Sequence, residues 1–411
     1  MASPSLLNLV TFGVLSIVSM APGQSPWAVE VISYDPGVAY EDGFDHIDLT
    51  MPGDPEKNAP LDRPTVDTYE GPESVPSVTA VPVYPAWDRT EVVSIGGGGH
   101  LELKMGVPIT NNAHNPYGID LLVFGNSFFE GVGLYNAKAN HPGGYLLADE
   151  EGIDVNTKNG VISVSADRET WFYFQNQPRL GVMPTLGRLW IEAEGVWGEP
   201  TDPTFPPDPA LHMSALSNMT LLDLIKRYRG GAGGTGLDLS NLIVPKGISL
   251  PTEFLYVRID VPEGHFRTEI DAITVVSPVD GYTRWQQKHF AWTRDPADEA
   301  PSVTPDADVY SNWLEFALGG DPNQKEGNLA SPAISSPDSN TLEVQLSESA
   351  AEAPWYIWRT STLNDSTSWQ KLDPQPTHAE SIEKGLLIRA YTMPSPEQGV
   401  QLYRLQLDGP P

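Results

Sequence analysis

Apolar and polar residues alternate along His100–Met105, where Leu101, Leu103 and Met105 share one face; this is the period-two pattern of a half-buried strand. The same reading predicts strands at Trp27–Ser33, Glu91–Ile95, Arg188–Ala193, Phe254–Val261 and Ile270–Val276. Ile119–Phe124 (IDLLVF) is nearly continuous in apolar residues and predicts a strand buried on both faces. Val161–Ser165 and Thr170–Phe174 predict a hairpin around Asp167-Arg168. Only Leu216–Tyr228 has helical character before residue 280, with Ser217 or Asn218 as its cap. Glu41–Glu73 carries ten acids against Lys57 and Arg63 among many prolines, which predicts irregular backbone. Short strands and turn-rich joints together indicate a mainly β fold, with a large antiparallel β-sandwich over residues 25–280.

Beyond this region the period changes. Tyr282, Trp285, His289 and Phe290 recur at helical spacing, and an acidic linker, Asp295–Pro305, leads to a second helical run. Strand patterns return from Leu342 in LEVQLS, WYIWRTS, LLIRAYT and VQLYRLQL. The expected order is a helical connector over 281–328, then a small C-terminal β-sandwich over 329–411.

Composition narrows the function classes. The chain holds 24 basic and 54 acidic residues, a net charge of −30. Such a surface repels phosphate backbones and anionic lipid, so nucleic acid and membrane surfaces are not expected partners. Leu6–Met20 is apolar, too short to span a bilayer comfortably, and followed by small residues and Pro22; residues 1–24 are expected to be a secretory signal. No later run is apolar enough for a membrane helix, and there are no cysteines. An exported chain without disulfides relies on its core, on bound ions, or on both. The expected location is extracellular, at the cell surface or in a periplasm.

Familiar catalytic patterns are missing. The glycine runs Gly96–Gly99 and Gly230–Gly236 lack the strand–loop–helix setting of a phosphate loop and read as turns. The eight histidines show no zinc-hydrolase spacing, and there is no Gly-x-Ser-x-Gly elbow. Glu192 and Glu194, two apart in a predicted strand, line one face, as solvated acids commonly do. Asp120, Asn126, Glu130 and Asp238 are acids or amides set beside apolar residues. A buried carboxylate needs a partner. Turn amides are one answer and an oxygen-liganded calcium ion the other. Tyr135, Tyr145 and Trp197 fall in loop-like sequence and are candidates for stacking on sugar rings. Trp285 and Trp313 are expected in the core.

The richest stretch is Thr304–Pro322, TPDADVYSNWLEFALGGDP. Set against a twelve-residue EF-hand loop ending at Glu315, it keeps acids at positions 3 (Asp306), 5 (Asp308) and 12 (Glu315), with Asn312 at position 9. Position 1 is Thr304, a neutral hydroxyl. Position 6 is Val309, where a sharp turn wants glycine. The pattern therefore predicts a loop that binds calcium no tighter than about millimolar, if at all. It also predicts a packed helix with Tyr310, Trp313, Leu314 and Ala317 in one stripe, ended by Gly319.

The order WQQKHF, acidic loop, N-x-x-E-F-A-L-G-G-D-P and closing LYRL over residues 281–409 resembles a C-terminal module of secreted proteins from environmental bacteria. In that family the loop usually reads D-P-D-G-D-G-L-S-N-L-L-E-Y-A-L-G-x-D-P. The resemblance implies export and modularity, not a reaction. VVSIGGGGHLEL, NPYGIDLLVFGNSFFE, VSADRETWFYF, YRGGAGGTGLDLSNL and YVRIDVPEGHFRTEIDAITVV resemble segments of bacterial cell-surface β-sandwich proteins. The last of these is also similar to the closing strands of galactose-binding, discoidin-like sandwiches. The expectation is a secreted or cell-surface module that binds an extracellular glycan through a lectin-like sandwich, without catalysis and with calcium as a structural ion. A structural attachment protein and a carbohydrate-active hydrolase or lyase remain open alternatives. The sequence leaves the oligomeric state open.

Overall fold

The computed structural model describes residues 25–38, 60–69, 76–88, 90–129, 131–133, 145–147, 160–177, 183–211, 216, 219–265, 267–290, 294–327, 329, 333–338, 341–347, 353, 355–360, 369–372, 381–383, 386–392 and 402–407. The expected signal segment, Glu130 and Tyr135 lie outside these. The protein is mainly β, built from several antiparallel sheets. Two compact units divide the described chain. One holds the residues up to Val279 together with 294–296; the other holds Asp280–Phe290 and the residues from Ala297 onward.

In the larger unit a five-stranded sheet has the spatial order Ala28–Asp35, His100–Ile109, Phe254–Asp260, Val161–Ser165, Phe172–Tyr173. A three-stranded sheet places Leu121–Phe124 between Thr235–Leu237 and Ala272–Val275. One core joins them. Leu101, Leu103, Val257, Ile259, Ile162 and Val164 come from the first sheet and Leu121, Val123, Leu237, Ile273 and Val275 from the second, which makes a sandwich. Successive strand residues face opposite ways, so Leu122, Phe124 and Ala272 enter a separate cluster with Ile119, Ala232 and Val276. This two-sided burial explains why IDLLVF lacks alternation.

The local structure differs from expectation in several places. The helix is α1, Leu221–Arg227, and starts later than the apolar pattern suggests: Thr220 is its cap, with its side chain accepting from Asp223 N. Asp67–Tyr69, inside the acidic segment expected to be irregular, pairs with Pro76–Thr79. Arg188–Ile191 pairs with Val196–Pro200, and Glu192 and Glu194 fall in the turn between them, exposed, rather than on a strand face.

In the smaller unit, α2 spans Gly281–His289. Its cap is Asp280, which accepts from Thr283 N at 2.9 Å. Helix α3 spans Asn312–Leu318 and ends at Gly319, whose φ of 78° is readily adopted only by glycine. Tyr282, Trp285 and Phe290 pack with Trp313, Phe316 and Ala317. The expected stripe shifts: Phe316 is buried and Leu314 faces solvent. The β part consists of a four-stranded sheet (Ala333–Asp338, Thr341–Ser347, Leu386–Thr392, Ser381–Glu383) and a three-stranded sheet (Gln370–Leu372, Trp355–Thr360, Leu402–Leu407). Leu342, Val344 and Ile357 form its core. Among the described residues no helix is long and apolar enough to cross a membrane.

Candidate metal centre

The turn before α3 is built from its own acids. Asp306 Oδ1 accepts from Asp308 N at 3.1 Å, and Asp308 Oδ1 accepts from Tyr310 N at 2.6 Å. These side-chain-to-backbone bonds hold the chain in successive tight turns. The left-handed residue is Ala307, with φ of 59°, and not Val309, which points into solvent. The β-branched side chain at position 6 therefore meets no steric barrier, because the loop turns two residues earlier.

Asn312 anchors this loop. Its Nδ2 donates to the carbonyl oxygens of Asp298 and Ala300, at 2.7 and 2.9 Å. These bonds fix the amide nitrogen, while the buried Oδ1, the atom that would face a cation, has no partner among the described residues, so Asn312 stays in the expected ligand set. Glu315, one turn into α3, is fully buried. Its carboxylate, Asp306 and Asp308 each offer one oxygen, and these oxygens lie within 4.8 Å of one another.

Charge makes this arrangement costly. Two unit charges at such a separation repel by on the order of 3 kcal/mol at an effective dielectric constant of 20. Among the described residues neither Glu315 carboxylate oxygen has a hydrogen-bond partner, nor does the buried Asp306 Oδ2. Among the described residues no Lys, Arg or His pairs with any of the three acids. Burial pushes the Glu315 carboxyl up to about 8, and Asp306, Glu326, Asp308 and Asp321 push in the same direction. The group therefore lacks what a buried carboxylate ordinarily has, either a donor or a cation. Hard carboxylate oxygens without nitrogen or sulfur suit a hard cation such as calcium or magnesium rather than zinc or copper. The triad Asp306, Asp308 and Glu315 thus could hold a metal ion.

The other candidates are placed differently. Asp120 is buried, but its oxygens are filled: Asn112 N and Asn115 Nδ2 donate to Oδ1, and Leu239 N donates to Oδ2. Burial raises its carboxyl while these bonds pull it back. Asp238 caps the short 3-10 turn Leu239–Asn241 by accepting from Ser240 N. Asn126 lies past the far end of Leu121–Phe124 from Asp120. At about 3.3 Å per residue the two are more than about 10 Å apart and do not share an ion. Trp197 sits in a strand and meets Trp190 edge-on, with centroids 5.0 Å apart, half-buried against the cluster under α1. It is a packing residue rather than an open platform. Tyr145 begins the strand Tyr145–Leu147.

A small depression of about 100 Å³ lies between the Asp167 turn and Ile248–Pro251, well below the roughly 300 Å³ of the smallest ordinary ligand pockets.

Glu326 is the acid that the loop pattern missed. It follows Gly319-Gly320, beyond the twelve positions of the template. The signal available was an acid shortly after a glycine pair that turns the chain back. Matched against models of protein families and against curated proteins, the chain finds no match.

Proposed function

We propose that the smaller unit is a calcium-ordered module, and that the protein is an extracellular binding protein without catalysis of its own. The observation that carries this reading is Glu315, buried with both carboxylate oxygens unpartnered and facing Asp306 and Asp308. Calcium is favoured over magnesium because magnesium keeps most of its waters and takes one or two carboxylates, whereas calcium accepts several. A site of this kind suits export into calcium-containing surroundings, which the apolar segment Leu6–Met20 also indicates. The larger sandwich is the proposed ligand-binding part, with an extracellular glycan as its ligand class.

The test uses the full chain stripped by chelation. Calorimetric titration should show one calcium site tighter than about 1 mM, with magnesium much weaker. Glu315→Gln should remove that site. Identical titrations of wild type and Glu315→Gln would defeat the reading. Export is checked by sequencing the N-terminus of secreted material, which should begin between Ala21 and Trp27. A glycan array probed with and without calcium tests the ligand class, and an array blank under both conditions would leave the attachment role in its place.

A further inference from the structure

We propose that Glu326 is the fourth carboxylate of this cation site, supplying from beyond α3 the acid that the loop lacks at its first position. The proposal rests on the calcium reading above and adds a ligand to it. Thr304, where an EF-hand loop has its first acid, is exposed, and its carbonyl oxygen accepts from Ala307 N at 3.1 Å. The first position therefore presents only a neutral, exposed hydroxyl, and its carbonyl oxygen closes the turn.

On the opposite side the chain returns to the loop. After Gly319 turns it, Asp321 N donates to Glu326 Oε1 at 3.0 Å, and Glu326 N donates to Asp308 Oδ2 at 3.3 Å. Leu329 N donates to the Tyr310 hydroxyl at 3.2 Å. These bonds lay the segment 321–329 across the loop. They also fix both ends of Glu326, its backbone to a triad acid and one carboxylate oxygen to the strap. The other oxygen, Oε2, is shielded from solvent and has no partner among the described residues.

Gly320 lies beside both glutamates. A Cβ placed there would lie 3.0 Å from Glu326 Oε2 and 3.1 Å from Glu315 Cβ. The missing side chain leaves space beside both the Glu326 carboxylate and the base of the Glu315 side chain. If Glu326 only tied down the strap, Oε1 alone would suffice, and a glutamine would serve without adding negative charge beside three other acids. A cation gives that added charge a purpose. The loop's missing acid is thereby replaced across space rather than along the sequence.

The experiment compares wild type, Glu315→Gln and Glu326→Gln in the full chain. Calcium titration is read beside thermal melting in excess chelator. Glutamine keeps the acceptor for Asp321 N and removes only the charge. Calcium affinity of Glu326→Gln should fall at least about tenfold, while its melting temperature without calcium stays equal to wild type or rises. If wild type binds and Glu315→Gln does not, but Glu326→Gln binds within twofold of wild type, the fourth-ligand assignment fails and the triad stands. If Glu326→Gln melts lower than wild type in chelator, its role is structural and the assignment is likewise overturned. If wild type itself shows no site, the calcium reading fails and carries this one with it.

Discussion

Each unit of the molecule buries a carboxylate that is pushed up to about 8, and the two are surrounded in opposite ways. Asp271 lies between the strands Thr268–Ile270 and Ala272–Val275 of the larger unit and is raised by burial, while bonds from Thr65 pull against that. Thr65 N donates to both its oxygens, at 3.2 and 3.0 Å, and Thr65 Oγ1 donates to Oδ1 at 3.0 Å. Glu315 of the smaller unit is raised by burial and then by four further acids. Among the described residues it has no donor. The same elevation thus marks two different things. Where donors converge, a buried acid pins a loop to a sheet. Where only acids converge, the carboxyl holds its proton until a cation takes that place, and the cluster could hold a metal ion. Perturbation by itself does not identify a site; the chemistry of the neighbours does.

The largest effect that separates the two is on calcium. Glu315→Gln should weaken binding by at least about a hundredfold, since it removes the charge and one oxygen of the buried acid at the loop's twelfth position, the bidentate ligand of an EF-hand loop. Above about pH 8, where Glu315 is ionised, the same variant should be more stable than wild type in chelator, because a like-charge contact is gone. Asp271→Asn should leave calcium affinity unchanged. Titration and chelator melts of both variants check this, and an unchanged affinity in Glu315→Gln would erase the contrast.

Next in size is the dependence on pH. Both carboxyls hold a proton more tightly folded than unfolded. The stability each contributes is therefore complete below its unfolded value near 4 and is lost as pH rises toward 8. The slope reaches about 1.4 kcal/mol per pH unit per group. In chelator, denaturant melts should show stability declining from pH 5 to pH 8. Saturating calcium should cancel the share due to Glu315, because the ion favours the ionised carboxylate, and leave the share due to Asp271. A decline of the same steepness with and without calcium would contradict this assignment.

A smaller effect belongs to Asp271 alone. Asp271→Ala strands the Thr65 amide and should cost roughly 1–3 kcal/mol. Asp271→Asn keeps an acceptor in place and should cost less. Equilibrium denaturation at pH 7 in saturating calcium isolates the larger unit's loss from the metal site.

What was legible in the sequence follows the range of the forces involved. Leu101, Leu103 and Met105 advertise their strand because burial on one face imposes a period of two, and all three are buried. Tyr282 and Trp285 advertise α2 for the corresponding helical reason. The acids Asp306, Asp308 and Glu315 could be picked out because a loop template is a local object. The misses needed contacts that no local pattern carries. Trp197 looked like a loop aromatic until the turn at Glu192–Gly195 brought it against Trp190. Leu314 looked buried, but the helix turns Glu315 and Phe316 inward and sends Leu314 to solvent. Glu326 lies outside the template and reaches the loop only through the Gly319 turn. Asp120 could be recognised as an acid in need of a partner, yet its partners are Asn112 and Asn115 from the turn just before it and Leu239 from far along the chain.

The smallest effect tests where this loop makes its turn. The template puts the sharp turn at position 6, Val309, while the structure puts it at Ala307, with φ of 59°. An alanine in the left-handed region costs roughly 1 kcal/mol relative to glycine, partly offset because glycine also loosens the unfolded chain. Ala307→Gly should accordingly stabilise the smaller unit by a few tenths to about 1 kcal/mol and tighten calcium binding slightly, since less strain opposes the ligand-ready loop. Val309→Gly relieves no strain and adds unfolded-state freedom, so it should be neutral or mildly destabilising. The two glycine variants therefore move in opposite directions, and calcium titration with chelator melts on each reads the sign. Stabilisation by Val309→Gly but not by Ala307→Gly would return the turn to position 6. It would also restore the barrier that the template places there, and with it the expectation of a loop that scarcely binds calcium.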